Sequence, residues 1–343
     1  MNIRTFTHFS IFLMFISLIG VESLYTSGKA TFQPNRIFDE FNFSNIEKII
    51  KYDDKYFILE SGNHRILVFN SSKKFNYQIS RIGQAKGELF YPRDFTIEGE
   101  YLYAIDPKNN RIQIFNLKGD YINDFPDYYN SYGIAVNSKG EIYLGQPSLG
   151  KLISVYNKEG KLINSFGNLH KLSNFYGPSL KKLDRKFENY INRINMCIDQ
   201  SDNLFLSFVG APFLQKYDRN GNLLFEKKIN DPKTEEIING FIRYNKSPVR
   251  RAIDDISIPL ITTGITVENI HGNIVIPFQW DRCWIYIANK KGDKITTLEP
   301  NKRNMLFQNI TVTKSLDLIL PRLSVIKDNE AYTINIKKFT ERR

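Results

Sequence analysis

Cysteine is nearly missing from this chain: Cys197 and Cys283 are the only two in 343 residues. So distant a pair makes no disulfide framework, which excludes the small cross-linked scaffolds of secreted domains and leaves core packing to hold the fold. Histidine is scarce as well, with four in all, so a site built on imidazoles has few candidates. Dense blocks of Lys and Arg are absent although the formal charge is +11. That balance suits an anionic partner or simply a solvated basic surface, and it supplies no localised basic arm. Neither a Gly-x-Ser-x-Gly elbow nor a phosphate-binding glycine loop occurs. Carboxylates are abundant, but nothing pairs them at a defined separation. The acidic pair Asp254-Asp255 reads as a solvated loop, because a calcium site needs several converging oxygens. No cofactor is expected.

Long apolar runs are missing too, with one exception at the start, "MNIRTFTHFSIFLMFISLIGVES". Arg4 supplies a positive end, Phe9 to Val21 form a short apolar run, and Val21-Glu22-Ser23 offers small residues for cleavage. That is the layout of a secretory signal peptide over residues 1–23. The run is short for a membrane span, although an uncleaved anchor would use the same residues. No cysteine stands near the cleavage point to carry a lipid. The mature chain, 24–343, is expected to have no transmembrane span and to work in the periplasm or outside the cell.

What the sequence does have is strand-forming residues, with 26 Phe and 19 Tyr, and repetition. "FILESGNHRILVFN" (57–70) aligns on "YAIDPKNNRIQIFN" (103–116) without a gap, matching Glu60 to Asp106, Arg65 to Arg111 and Phe69 to Phe115. A turn then recurs as "FNLKGDYI" (115–122), "YNKEGKLI" (156–163), "YDRNGNLL" (217–224) and "ANKKGDKI" (288–295). In each, Asn or Asp opens the turn and Gly119, Gly160, Gly221 or Gly292 follows three residues later, as a positive φ in a bulged hairpin loop requires. Upstream of each turn lies another hairpin. The unit is four antiparallel strands repeated about every forty residues, which is a β-propeller blade. Blades fall near 46–82, 93–125, 132–166, 192–227 and 263–298. A sixth begins at "PRLSVIKDNEAYTINI" (321–336), and its missing outer strands are expected from "KATFQPNRIFDEF" (29–41). Closing the ring with both chain ends leaves no open sheet edge between first and last blades.

"IDPKNNRIQIFNLKGDYI" (105–122) resembles the NHL repeat. Blade 1 departs from it mainly in lacking the turn glycine, and blades 4 and 5 put Phe213 and Trp284 at the Arg position. The resemblance implies an all-β, six-bladed propeller of the NHL or TolB-like kind over nearly the whole mature chain, and it implies no single function. Some extracellular relatives of this fold are lyases that amidate peptides with zinc held by three histidines, and the mature chain has His64, His170 and His271. Those ligands precede innermost strands in a Pro-His context, whereas the counterpart here is Pro92-Arg93. His64 falls between second and third strands, His170 in an insertion and His271 in a hairpin turn on the opposite rim. Residues on two rims cannot meet at one ion, so no metal site is expected.

Two insertions interrupt the ring, at about 168–191 and 229–262. The first contains "PSLKKLDRKFENYINRI" (178–194), where Leu180, Leu183, Phe187, Tyr190, Ile191 and Ile194 follow helical spacing and Ser179 is placed to cap. The second holds a short helix at "TEEIINGFIRY" (234–244). Both join an outermost strand to the next innermost one, so both emerge on the rim that carries the loops between second and third strands. That rim also collects Asn110 and "FQWDRCW" (278–284), in which Cys283 is placed in a loop, one repeat away from Cys197 on an inner strand. The insertions either plug the channel mouth or frame a ligand face there. The candidate contacts are His64, Arg93, Arg193, Trp280 and Arg282. The expected function is a binding or scaffold module for a protein, peptide or glycan, with the basic balance favouring an acidic one. The leader argues against nucleic acid, which cytoplasmic proteins with this repeat bind on a basic rim. The alternative class is a metal-dependent lyase or hydrolase at the channel mouth, and the oligomeric state stays open.

Overall fold

The computed structural model describes residues 30–32, 35–38, 41, 43–245, 261–279, 283–300, 311–312, 317–321 and 331–335. The leader expected at 1–23 lies outside them. Within them the strands form six sheets, each joined in order from inside outward by antiparallel pairing. Blade 1 runs Ile46–Tyr52, Lys55–Glu60, Arg65–Asn70 and Phe75–Ile79. Blade 2 follows with Asp94–Glu98, Tyr101–Asp106, Arg111–Asn116 and Tyr121–Pro126. Blade 3 spans Ile134–Val136 to Leu162–Phe166, blade 4 Ile194–Ile198 to Leu223–Lys228, and blade 5 Thr266–Val267 to Lys294–Pro300. Each innermost strand touches the innermost strand of the next blade, and that of blade 6 returns to that of blade 1, so the ring is closed.

Closure uses both ends of the chain, with a different division from the one the sequence suggested. Blade 6 begins with Thr311–Val312, so the hairpin read as its inner pair supplies its second and third strands, Asp317–Pro321 and Ala331–Asn335. Asn35–Ile37 pairs with Ala331–Asn335 as the outermost strand. The neighbouring Ala30–Phe32 goes elsewhere, pairing in parallel with Lys294–Pro300 as a fifth strand on blade 5. A strand added to an exposed edge satisfies the edge N–H and C=O groups there.

The core lies between blades rather than in one centre. Phe57, Leu59 and Val68 of blade 1 pack on Phe95, Leu102 and Phe115 of blade 2, and Ile105, Ile112 and Ile114 of blade 2 pack on Ile134, Leu144 and Tyr156 of blade 3. The turn glycines belong to the same packing. Gly221 has φ +84, and a Cβ there would stand 2.6 Å from the Phe166 ring of blade 3. In blade 1, Lys73 occupies the turn position and carries the positive φ (64°) without a glycine.

The first insertion is less regular than its spacing predicts. It folds as helix α1 (Leu172–Tyr176), a tight 3-10 turn (Pro178–Leu183) and helix α2 (Asp184–Ile191). Of the run predicted over 178–194, the first six residues wind as the tighter turn with Ser179 inside it rather than capping, α-helix begins only at Asp184, and Ile194 already belongs to a strand. Its ends are pinned where Asn192 bonds the backbone of His170 through both amide atoms, at 2.8 and 2.9 Å. Helix α3 (Pro232–Asn245) covers the second insertion and meets α1 through Tyr176 and Phe241, ring centroids 4.3 Å apart. Cys197 lies on an innermost strand as a free thiol, and Cys283 opens a strand instead of lying in a loop.

Candidate functional site at the channel mouth

The phrase that the sequence repeats closes the loop between second and third strands. Glu60 pairs with Arg65 in register, as Asp106 does with Arg111, and the three residues after each acid form a 3-10 turn. A left-handed residue ends that turn, His64 in blade 1 (φ 56°) and Asn110 in blade 2 (φ 52°). Both acids are fully buried. Asp106 accepts from the Phe90 N–H at 2.7 Å, Asn109 Nδ2 at 2.8 Å, Arg111 Nε at 3.0 Å and Gln113 Nε2 at 3.1 Å. Arg111 Nη2 then donates to the carbonyls of Ala85 and Glu88, both at 2.8 Å. Glu60 likewise accepts from Ser44 N–H, Asn63 and Arg65. Each acid–Arg pair therefore clamps the segment that enters its blade, and this fixes the rim.

On that rim opens a recess of about 710 Å³, lined by Asn45, Glu47, Ser61, Gly62, Tyr91, Pro92, Arg93, Pro107, Lys108, Asn110 and Asn130. Arg93 reaches it from the position just before the innermost strand of blade 2. Its Nη1 donates to Asn130 Oδ1 at 2.9 Å and to the Ser131 carbonyl at 2.8 Å. Burial pulls its pKa down, the Tyr132 hydroxyl opposes that, and Arg193 lowers it further. Glu47, on the innermost strand of blade 1, accepts from Asn45 Nδ2 at 2.6 Å and Ser61 Oγ at 2.9 Å. Burial nevertheless pushes its carboxyl above the ordinary range, more than these donors and Arg93 pull it down.

Arg93 and Arg193 are brought together by the repeat. Arg193 precedes the innermost strand of blade 4, and Tyr132 stands two residues ahead of the one in blade 3, with its N–H bonded across to Gly145 O much as Arg93 N–H is to Ile105 O. Tyr132 thus meets both guanidinium groups, Arg93 at 4.7 Å and Arg193 at 4.3 Å from its ring centroid, and Arg193 also lies 4.5 Å from the Tyr190 ring of α2. Such cation–aromatic contacts are worth about 0.5–2 kcal/mol each, depending on desolvation.

His64 is a wall post of the recess. Its Nδ1 accepts the Tyr91 N–H at 2.8 Å, its ring meets Tyr91 edge-on at 4.3 Å, and burial lowers its pKa. The sequence-predicted Trp280 and Arg282 lie outside the described residues. The other histidines stand apart: His170 bonds Gln215 and Glu226 at the edge of blade 4, while His271 sits in the hairpin turn of blade 5 beside Glu268. Among the described residues, no three of His, Cys, Asp or Glu gather as they would around an ion. Sequence reasoning missed Glu47, Tyr91, Lys108, Asn130 and Tyr132. The signal for Tyr132 was available, since it occupies nearly the same place ahead of its blade as Arg93 and Arg193.

Among the described residues, neither of the two insertions lines this recess. Helices α1 and α3 pack over blades 3 to 5, whereas the recess lies among blades 1 to 3. No helix among the described residues is long and apolar enough to cross a membrane.

Comparison with known proteins agrees with this architecture. Residues 36–168 match the model of a family described as "6-bladed beta-propeller". "Protein brain tumor" of Drosophila melanogaster is 24% identical over 115 residues, which is 32% of this chain and 11% of that protein, so this chain spans a small part of that relative's length. A solved structure from Bacteroides fragilis, named "Putative exported protein", superposes with a TM-score of 0.59 at 12% identity, covering 88% of this chain and 94% of that one. The virginiamycin B lyase of Staphylococcus aureus gives 0.53 at 16% identity, over 89% of both chains. At such identities these structures share the fold alone. The closed ring of six sheets, each with four antiparallel strands and one with a fifth strand added, makes the chain a six-bladed β-propeller, and its acid–Arg loop resembles the NHL repeat.

Proposed function

We propose that this propeller is an extracytoplasmic binding module that holds a protein, peptide or glycan partner on the rim bearing the channel-mouth recess. The observation that carries the reading is the recess itself. Its volume lies in the range of ligand sites, and a guanidinium, an ammonium and several amides converge on it from three blades. Its walls are held by buried hydrogen bonds, the Asp106 and Glu60 clamps and the His64–Tyr91 bracket. A preformed wall lowers the ordering cost of binding. The leader-like segment Met1–Ser23 and the fold shared with the Bacteroides fragilis protein support a place outside the cytoplasm.

The test is affinity capture from an envelope fraction with the parent chain and with Arg93→Ala. Partners recovered by the parent and lost by a folded variant support the face assigned. Equal recovery by both places the partner elsewhere.

A further inference from the structure

We infer that the recess recognises an acidic glycan, an oligosaccharide carrying uronate carboxylates. This rests on the binding reading above and names the ligand class for the same site.

The lining is the first argument. Asn45, Ser61, Asn110 and Asn130 offer amides and a hydroxyl beside the apolar surface of Pro92, Pro107 and the Tyr91 ring, a mixture that suits the hydroxyls and C–H faces of a sugar. An apolar ligand would strand those groups without water, whereas a polyhydroxylated one exchanges hydrogen bonds with them. The cations are the second argument. Among the described residues, the side-chain hydrogen bonds of Arg93 to the protein all run from Nη1, to Asn130 and Ser131. They fix the guanidinium plane and leave Nε and Nη2 as a two-donor edge, the arrangement that takes a carboxylate with two parallel bonds. Lys108 adds an exposed positive charge to the same lining.

Glu47 is the one acid in the lining, and it would repel a carboxylate if ionised. Burial raises its carboxyl above the ordinary range, which acts against that repulsion, and Asn45 and Ser61 donate to it.

The third argument is the border. Tyr91, Tyr128 and Tyr129 are 53%, 74% and 48% exposed. Tyr91 lines the recess, and the other two sit on the 127–131 loop, which is tied to it where Asp127 N–H donates to Asn110 O at 2.8 Å. Solvated tyrosines at a polar recess provide rigid, amphipathic faces against which the C–H side of a sugar ring can lie. An acidic peptide fits less well. Peptides in extended form seek a free strand edge or apolar side-chain pockets, and this recess is walled by loops and polar groups.

Calorimetry decides the matter, with the purified chain and tetramers of galacturonate, mannuronate and glucuronate, the methyl ester of whichever binds, and hexaglutamate. The expected result is saturable binding of at least one uronate tetramer. Its ester and the Arg93→Gln chain should bind about tenfold or more weakly, the scale of one lost charge-assisted pair. Tyr128→Ala should weaken binding about threefold, and it serves with Lys108→Ala if Arg93→Gln does not fold. Failure of every uronate to bind, equal binding of the ester or of hexaglutamate, or unchanged affinity in the folded variants overturns the inference. If Arg93→Ala loses a captured partner while no uronate binds, the rim assignment stands and the glycan assignment falls.

Discussion

Replacing Asp106 by alanine tests the claim that the repeated acid–Arg pair acts as a buried clamp. The side chain of Asp106 is fully buried and that of Arg111 is 12% exposed. The substitution takes the acceptor from Phe90 N–H, Asn109, Arg111 and Gln113 at once. Breaking a buried ion pair by removing one partner costs about 3–5 kcal/mol. Arg111 keeps its two carbonyl partners at Ala85 and Glu88, so the lower end, about 3 kcal/mol, is expected. A control stands in the same loop: Arg81 pairs with Glu88 at 2.9 Å, but its side chain is 79% exposed. Arg81→Ala should therefore cost under about 1 kcal/mol. Urea unfolding followed by circular dichroism measures both, provided the slope is unchanged. Hydrogen exchange should show faster exchange at the Phe90 amide in the Asp106 variant. Asp106→Ala with Arg111→Ala should cost less than the sum of the single changes, because the second no longer strands a partner. A cost for Asp106→Ala no larger than that for Arg81→Ala would refute the clamp.

Other expectations follow from the same geometry. Burial lowers the pKa of His170 below its ordinary 6.5 against the pull of Glu226, so the folded chain favours the neutral ring. Stability from this group is complete above about pH 6.5 and falls as pH drops toward the folded-state value. His170→Asn should therefore shrink the drop in melting temperature between about pH 7.5 and about pH 5.5, and an undiminished drop would show that His170 is not its source. At the blade 3–4 seam, Gly221→Ala adds a Cβ at φ +84 against Phe166 and should destabilise by about 2–3 kcal/mol in denaturant titrations. Lys73→Gly relieves the same backbone strain at the matching turn of blade 1, and should raise stability by about 0.5–1 kcal/mol. The Cys197 thiol, pushed up to about 12 by burial, should ignore a disulfide reagent near about pH 8 until the chain is unfolded. Rapid labelling of the native chain at Cys197 would contradict its placement.

The sequence was most readable where one physical constraint recurs. The acid–Arg pair recurs in blades 1 and 2 and the turn glycine in blades 2 to 5, so their overlapping spacing exposed the first five sheets and their order. Burial was not readable in the same way. "IDPKNNR" and "LESGNHR" state that an acid faces an arginine, but not that Phe90 or Ser44 closes over the acid, and that closure separates a clamp from a surface pair worth roughly 0–1 kcal/mol. Chain ends and insertions escaped for another reason. The helical spacing over 178–194 did not show that its first six residues wind more tightly, as 3-10, before α-helix begins at Asp184, and Ala30–Phe32 adds to blade 5 while its neighbour Asn35–Ile37 completes blade 6. Neither strand pairing is local, because each depends on which edge lies nearest once the ring has closed.

The same periodicity bears on where the proposed binding face of the rim lies. Insertions were the natural place to look for a ligand face, since an insertion escapes the periodic constraint. Here α1 and α3 bury their aromatic faces on blades 3 to 5 and on each other, leaving little of those faces for a ligand. The recess is built instead at positions within the repeat, just before or at the start of the innermost strands, where Asn45, Glu47 and Arg93 stand. Asn45 meets a local demand, a left-handed backbone (φ 58°), but Glu47 falls where the register of its strand shifts and Arg93 stands just ahead of its strand, and the three converge because the strands behind them share an axis. Tyr132 and Arg193 stand at matching places in the next two blades and meet Arg93 through one ring. The ring thus brings residues from distant parts of the sequence together at one place on the rim, and the binding proposed for this chain uses that convergence.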